Sequence, residues 1–302
     1  MYHYVRDTEK TNYPKIKALS IGKFKNQLDY LQKNYKIISL PDYICYLNGK
    51  KDISENSCIL TFDDGFSDHY KNVFPILKKK KISACFFPIT CPLTESKIPV
   101  VHQTHFLLAK IGSEKLAKEF NKLLVEKFPK IAKKFIADNK VLKQKKCVWD
   151  KSDILAGNLK YNISLMPGKA GSEIVNSIFN RYFKNKEKFC KELYMNFSQM
   201  REMQRAGMFF GNHGHYHLKL TRISKKEQKE EIIKSKKILE KELGEKVVFF
   251  SYPYGAYDKE TIKIIKNEGY SCALTTDFAI NKGKDINMFA LKRLDTNHIL
   301  LK

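Results

Sequence analysis

The chain has 302 residues, 43% hydrophobic and 29% charged, the composition of a globular protein built as one large domain or two smaller ones. That excludes a disordered tail, a coiled coil and a disulfide-stapled mini-protein. Fifty-six basic against 32 acidic residues give a net charge of +24, which invites a nucleic-acid or anionic-membrane reading. Only six of the basic residues are arginine, the side chain whose fork suits phosphate, so nucleic acid is not the expected partner. The seven cysteines form no C-x-x-C pair, which fits a reducing compartment. The opening MYHYVRDTEKTNYPKIKALS lacks the apolar run of a signal peptide. No stretch approaches the roughly 18 apolar residues of a membrane span, and the expected location is cytoplasmic.

In chain order, Ser57–Phe62 is a short apolar run ending in Asp63-Asp64-Gly65, the pattern of a buried strand entering a turn. Tyr70, Val73, Phe74, Ile76 and Leu77 follow at helical spacing, and Ile82–Ile89 reads as a second buried strand. Residues 95–200 break this rhythm: they are lysine-rich and helical in pattern (Leu107, Leu116, Phe120, Leu124, Phe128), with no strand signal before Met208. Phe197–Ala206 predicts a helix and Met208–Gly211 a strand. Ser224 and Gly244 cap a long amphipathic helix; Val247–Tyr252 and Ser271–Thr275 read as strands on either side of a helix over Lys259–Glu268. Apolar strands alternating with helices predict an α/β fold whose parallel sheet is either a barrel or doubly wound. The expected organisation is one such domain over 1–94 and 201–302. A helical insertion, 95–200, hangs on the loop after the second core strand, where specificity is usually varied.

Three segments at strand C-terminal ends carry the chemistry-capable residues, and in a parallel barrel these ends share one face. Asp63 and Asp64 point in different directions, so one can bind a cation while the other works as a base. The competing reading is an Asp-Gly turn with a helix cap. His213, His215 and His217 fall within five residues. If the segment opens a helical turn, spacing of four puts His213 and His217 on one side as metal ligands, and leaves His215 exposed or supporting a ligand. Tyr252-Pro253-Tyr254-Gly255 is a turn able to present backbone N–H groups to an oxyanion. One carboxylate and two histidines make a facial metal triad: the metal lowers the pKa of its bound water and polarises a carbonyl, while the spare aspartate takes the proton. That set fits metal-assisted hydrolysis of an ester or amide. Of the other histidines, His69 reads as solvent- or helix-facing and His3 as a strand residue behind the site.

The ordered motifs TFDDG, H-x-x-x-H after a strand and YPYG resemble the polysaccharide deacetylase (NodB-homology) family, carbohydrate esterase family 4. Tyr2-His3-Tyr4-Val5 and Leu291-Lys292-Arg293-Leu294-Asp295 extend the likeness to roughly residues 1–92 and 200–298. The resemblance implies a distorted (β/α)7 barrel and a divalent metal, commonly zinc, held by Asp64, His213 and His217. It implies Asp63 as general base, metal-bound water as nucleophile, and Tyr252, Pro253, Tyr254 and Gly255 along the substrate groove, with a tyrosine backbone holding the oxyanion. The implied reaction removes an N- or O-acetyl group from an acetylated sugar or a surface-polysaccharide precursor. A cytoplasmic location favours a nucleotide- or lipid-linked substrate, with a lysine-rich surface suited to its diphosphate or to peripheral contact with the inner membrane face.

The chain departs from the family pattern in two places. Ser251 stands where many members carry an arginine that orients the base, and Arg293 is the candidate to supply that charge. The general-acid histidine of a late leucine-rich motif is matched only by His298, with His102 and His105 at the start of the insertion as alternatives near the substrate. Two other readings use the same residues or none of them. One is a hydrolase of a non-sugar amide or formamide; the other is a non-catalytic protein whose basic surface binds a glycan or nucleic acid.

Overall fold

The computed structural model describes residues 1–139, 153–283 and 286–296. The chain forms two compact units: Met1–Asp7, Ala18–Lys97 and Cys190–Lys302 make the first, and Thr8–Lys17 with Ile98–Phe189 the second.

Serine caps start the first helices. Ser20 accepts the Lys23 amide at the head of α1 (Ile21–Asn34), and Ser39 accepts that of Asp42 at the head of α2 (Leu40–Leu47). Each satisfies an N–H that a first helical turn leaves over. Between them β1 (Lys36–Ile37) pairs in parallel with β2 (Ser57–Cys58). Next come β3 (Thr61–Asp64), a π-helical turn at His69–Val73, α3 (Phe74–Lys79), β4 (Cys85–Pro88) and α4 (Cys91–Thr94). The helices α5 (Val100–Lys127), α6 (Pro129–Phe135), α7 (Ile154–Leu165) and α8 (Ala170–Tyr182) follow. α9 (Lys186–Leu193) spans the boundary of the two units, and α10 (Phe197–Arg205), β5 (Phe209–Phe210), α11 (Lys225–Leu243), β6 (Phe249–Ser251), α12 (Lys259–Asn267) and β7 (Cys272–Leu274) complete the order. A capping box of Ser224 with Glu227 starts α11, and left-handed Gly244 ends it.

The ladders among the described residues are all parallel, as helical crossovers require. They are β1–β2, β3–β4–β5 and β6–β7, and no closed barrel ladder joins them. Isolated bridges link Tyr2 to Phe62, Asn212 to Phe250 and Leu274 to Leu291.

Alternation along these strands sorts the core into two layers. Phe62, Phe86, Phe210, Phe250 and Ala273 pack with Phe24 and Leu28 of α1, Leu77 of α3, Ile232 and Leu239 of α11 and Ile265 of α12. Their strand neighbours Cys85, Phe87, Phe249, Cys272 and Leu274 form a second cluster, joined by Leu40 and Ile44 of α2. With both faces occupied by apolar side chains, polar chemistry is left to the strand ends.

His69 is not the solvent- or helix-facing residue that the sequence pattern predicts. It is fully buried among the rings of Phe62, Phe66 and Phe86, and its Nε2 donates to the His3 carbonyl at 2.9 Å. Burial lowers its pKa to about 4, so the ring is neutral.

In the second unit α5 and α8 enclose a core of Leu107, Phe120, Leu124, Ile174, Ile178 and Phe179. Residues 8–17 belong here because the Tyr13 ring meets Phe106 edge-on at 5.0 Å and also contacts Phe183 and Phe189. Asn121 exchanges two hydrogen bonds with the Ala137 backbone, both 2.8 Å, which fixes the chain after α6. No helix of the described residues is long and apolar enough to cross a membrane.

Gly65 turns the chain after β3 with φ +72, and a Cβ there would lie 2.7 Å from the Pro88 Cβ. Gly65→Ala therefore adds left-handed strain to overpacking. The expected loss is about 2–4 kcal/mol of unfolding free energy, read as a lowered urea midpoint at unchanged slope.

Candidate active site

β3 delivers Asp63 and Asp64 side by side, both nearly inaccessible at 1% and 5% exposure. Asp64 takes the left-handed conformation, φ 78, and this turns its carboxylate toward the loop after β5. There the imidazole Nε2 atoms of His213 and His217 lie 3.6 and 3.7 Å from Asp64 Oδ1. The expected helical turn does not bring these histidines together. Residues 213–217 are non-helical, and left-handed Gly214 (φ 78) and His217 (φ 59) fold the loop back until the two rings stand 4.8 Å apart.

His213 Nδ1 donates to the Ser251 carbonyl at 2.7 Å. A carbonyl can only accept, so Nδ1 carries the proton and a neutral ring keeps its lone pair on Nε2. Burial lowers the His213 pKa and favours that neutral form. One donor atom from each of Asp64, His213 and His217 lies within 4.8 Å of the others. Separations of 3.6–3.7 Å are too long for hydrogen bonds but suit donors spaced around a shared cation. A carboxylate with two imidazoles fits a divalent ion that accepts nitrogen and oxygen ligands, zinc included.

Asp63 is held differently. Arg293 grips it with both prongs, Nη1 to Oδ1 at 2.9 Å and Nη2 to Oδ2 at 2.7 Å, and the Ser251 hydroxyl donates to Oδ2 at 3.1 Å. The same guanidinium donates Nε to the Thr275 carbonyl at 2.8 Å and Nη2 to Ser251 Oγ at 2.9 Å. Burial by itself would push the Asp63 carboxyl up. The Arg293 charge and its hydrogen bonds outweigh that and hold the group well below the usual carboxylate range. Ser251 and Arg293 thus meet at the same carboxylate, one from the end of β6 and the other from beyond β7.

The Tyr252–Gly255 turn divides its labour. Tyr252, expected along the groove, is a core residue: it is fully buried, its hydroxyl donates to the Phe289 carbonyl, and its N–H is bonded to the Leu274 carbonyl. The Gly255 N–H is bonded to the Tyr252 carbonyl. Tyr254, with φ 60, places its ring 4.7 Å from that of His217. It is the member of the turn that meets the histidine pair.

His215 is neither exposed nor on the cation side. It is fully buried, with Nδ1 2.7 Å from Thr90 Oγ1 and Nε2 2.8 Å from Glu95 Oε1. Glu95 also receives Lys234 at 2.5 Å, Lys97 at 2.7 Å and the Tyr216 hydroxyl at 2.9 Å. Burial opposes ionisation of Glu95, but these partners hold its pKa well below the usual range. Nothing in the sequence around Glu95 or Thr90 signals this; only the odd middle histidine does. His102 belongs to the helical unit, buried on α5. His298 lies outside the described residues.

Arg293→Gln should expose the cost that the guanidinium offsets. A depressed folded-state pKa adds stability above the unfolded value of about 4 and loses it as pH falls through the folded value. Leaving Asp63 buried without its cation is expected to lower unfolding free energy at pH 7 by about 3–5 kcal/mol. The gap from the parent should shrink at pH 3.5, and urea unfolding at both pH values checks it.

The profile of the polysaccharide deacetylase family matches residues 50–122 and 182–273. The Bacillus subtilis (strain 168) protein YxkH, whose name places it among polysaccharide deacetylases, is 21% identical over 295 residues, covering 97% of this chain and 69% of that protein. The Streptococcus pyogenes deacetylase PplD, solved in complex with acetate, superposes with a TM-score of 0.59 at 19% identity, over 97% of this chain and 89% of that one. IcaB from Ammonifex degensii gives 0.57 at 18% identity, over 97% and 89%. The structural likenesses show a shared fold. With the family profile covering more than half of its residues, the chain belongs to the polysaccharide deacetylase family.

Proposed function

We propose that this chain is a metal-dependent deacetylase that removes an acetyl group from an acetylated sugar of a surface polysaccharide or its precursor. The observation that carries the reading is the pairing of two differently held carboxylates, Asp64 facing the Nε2 atoms of two imidazoles and Asp63 gripped by Arg293. The bridges from Tyr2 to β3, from Asn212 to β6 and from β7 to Leu291 support a distorted (β/α)7 barrel, with the strand ends at its mouth. The Thr296 amide, which donates to the Met1 carbonyl at 3.3 Å, supports it as well.

Asp64, His213 and His217 would hold the cation. A divalent ion there would polarise the acetyl carbonyl and acidify the attacking water, which a carboxylate kept as low as Asp63 requires of its proton donor. Asp63 accepts that proton on a carboxylate oxygen. Arg293 and Ser251 fix the plane of the carboxylate and keep it ionised. The backbone of Tyr254, beside His217, is the proposed donor to the oxyanion. As the C–N or C–O bond breaks, the proton taken up by Asp63 passes through water to the departing atom, leaving acetate and a free amine or hydroxyl on the sugar.

Acetate release from acetamido-sugar and acetylated oligosaccharide substrates tests the reading directly. Activity should vanish on chelation and return with added zinc. Asp63→Asn should lower kcat by about 10²–10⁴-fold, and His213→Ala should abolish stoichiometric metal binding as well as turnover. No turnover on a broad panel, with or without metal, would overturn the proposal. The lysine-rich surface also favours an anionic, diphosphate-linked substrate. For such a substrate kcat/KM should fall several-fold between 50 and 500 mM salt, while a neutral oligosaccharide should show little change.

A further inference from the structure

Glu231 stands on the face of α11 turned to the loop that carries His213 and His217, and it is 4% exposed. Its Oε1 accepts the Tyr216 amide at 2.6 Å and lies 3.5 Å from the Leu218 amide. These two amides flank His217 in the chain. Two backbone N–H groups, one on either side of His217, therefore converge on one carboxylate oxygen. Gly214 makes the approach possible, since a Cβ on that residue would come 2.9 Å from Glu231 Oε1.

The loop is anchored on its other side by the Thr90 and Cys91 amides, which donate to the Gly214 and His215 carbonyls, and by the His215 side chain; Glu231 is what holds its own amides at Tyr216 and Leu218. The loop contains no helix or ladder bond between His213 and Leu218, and both Gly214 and His217 are left-handed. Buried amides left without an acceptor are costly, so without Glu231 the loop would relax toward a conformation that pairs them elsewhere. Any such relaxation moves the His217 ring relative to that of His213, whose Nδ1 is fixed separately by Ser251.

We propose that Glu231 is the positioning residue of the candidate metal centre: its carboxyl group holds the Tyr216 and Leu218 amides, on either side of His217, and so sets the spacing of the His213 and His217 imidazoles. The proposal rests on the reading of Asp64, His213 and His217 as metal ligands, and it predicts that Glu231 governs metal affinity without touching the metal.

Cobalt(II) titration of the metal-free chain, followed by d–d absorption, separates the two. Glu231→Gln keeps an Oε1 acceptor in place and should bind cobalt within about threefold of the parent. Glu231→Ala should bind 10–100-fold more weakly with an altered spectrum. Glu231→Asp, which withdraws the acceptor by one methylene, should behave like the alanine variant and stands in if that variant fails to fold. Urea midpoints of the metal-free proteins show that each is folded. Parent-like affinity and spectrum in the Ala and Asp variants would overturn the role of Glu231 while leaving the ligand set intact. A parent that binds no cobalt would overturn the ligand set, and the proposal with it.

Discussion

One guanidinium ties the strand ends together. Arg293, 6% exposed, reaches Asp63 at the end of β3, Ser251 at the end of β6 and the carbonyl of Thr275 just past β7. Burying a cation and an anion is expensive, and the pair repays it only when geometry is good and the remaining hydrogen-bonding capacity is used. Here the fork is bidentate, and Nε finds a backbone carbonyl as well. The arrangement fixes which aspartate is held by the guanidinium. Asp64, one residue along, is then the carboxylate left to face the histidines.

Much of this was legible in the sequence, and the residues show why. Asp63-Asp64-Gly65 and the histidine cluster stand out because they follow apolar runs, and a strand buried on both faces leaves only its ends for polar chemistry. The caps of α11, Ser224 and Gly244, were equally plain, since capping chemistry is local. Arg293 could be nominated as a partner for Asp63, but the 230 residues between them hide the fork itself. What stayed hidden depends on distant contacts. β1 and β2 are two residues long and give no periodic signal. Nothing in residues 8–17 announces that Tyr13 packs on Phe106 and Phe189. His69 and Tyr252 look like ordinary polar-tipped residues, yet one ring nitrogen of the first and the hydroxyl of the second bond to backbone carbonyls, and both side chains join the core.

Of the five non-glycine residues with positive φ among the described residues, three stand at the site. Asp64, His217 and Tyr254 all hold φ between 59 and 78, a region that costs a non-glycine residue about 1–3 kcal/mol. Their concentration around one cluster is the mark of strain retained where side-chain direction matters more than local comfort. Surrounding bonds enforce it: the fork on Asp63 next to Asp64, the Glu231 contacts around His217, and the turn bond from Gly255 to Tyr252 beside Tyr254. The loop between the histidines is braced from both sides, by α11 through its backbone and by the Glu95–His215 contact through a side chain.

The parallel pairing of β4 with β5 has a kinetic side. Cys85 pairs with Phe209 across about 120 residues of chain, and closing so long a loop is slow as well as entropically unfavourable. Within the helical unit, however, Phe106 meets Phe189 with ring centroids 4.8 Å apart. Once that contact forms, the stretch still to be closed shrinks to about 40 residues, which reduces the closure penalty by about 1 kcal/mol. The Phe106–Phe189 contact of the helical unit thus shortens the loop that β4 and β5 must close. Loosening that aromatic contact would return the β4–β5 pairing to a closure of about 120 residues, so the packing of a helical unit sets how far apart along the chain two sheet neighbours stand when they meet.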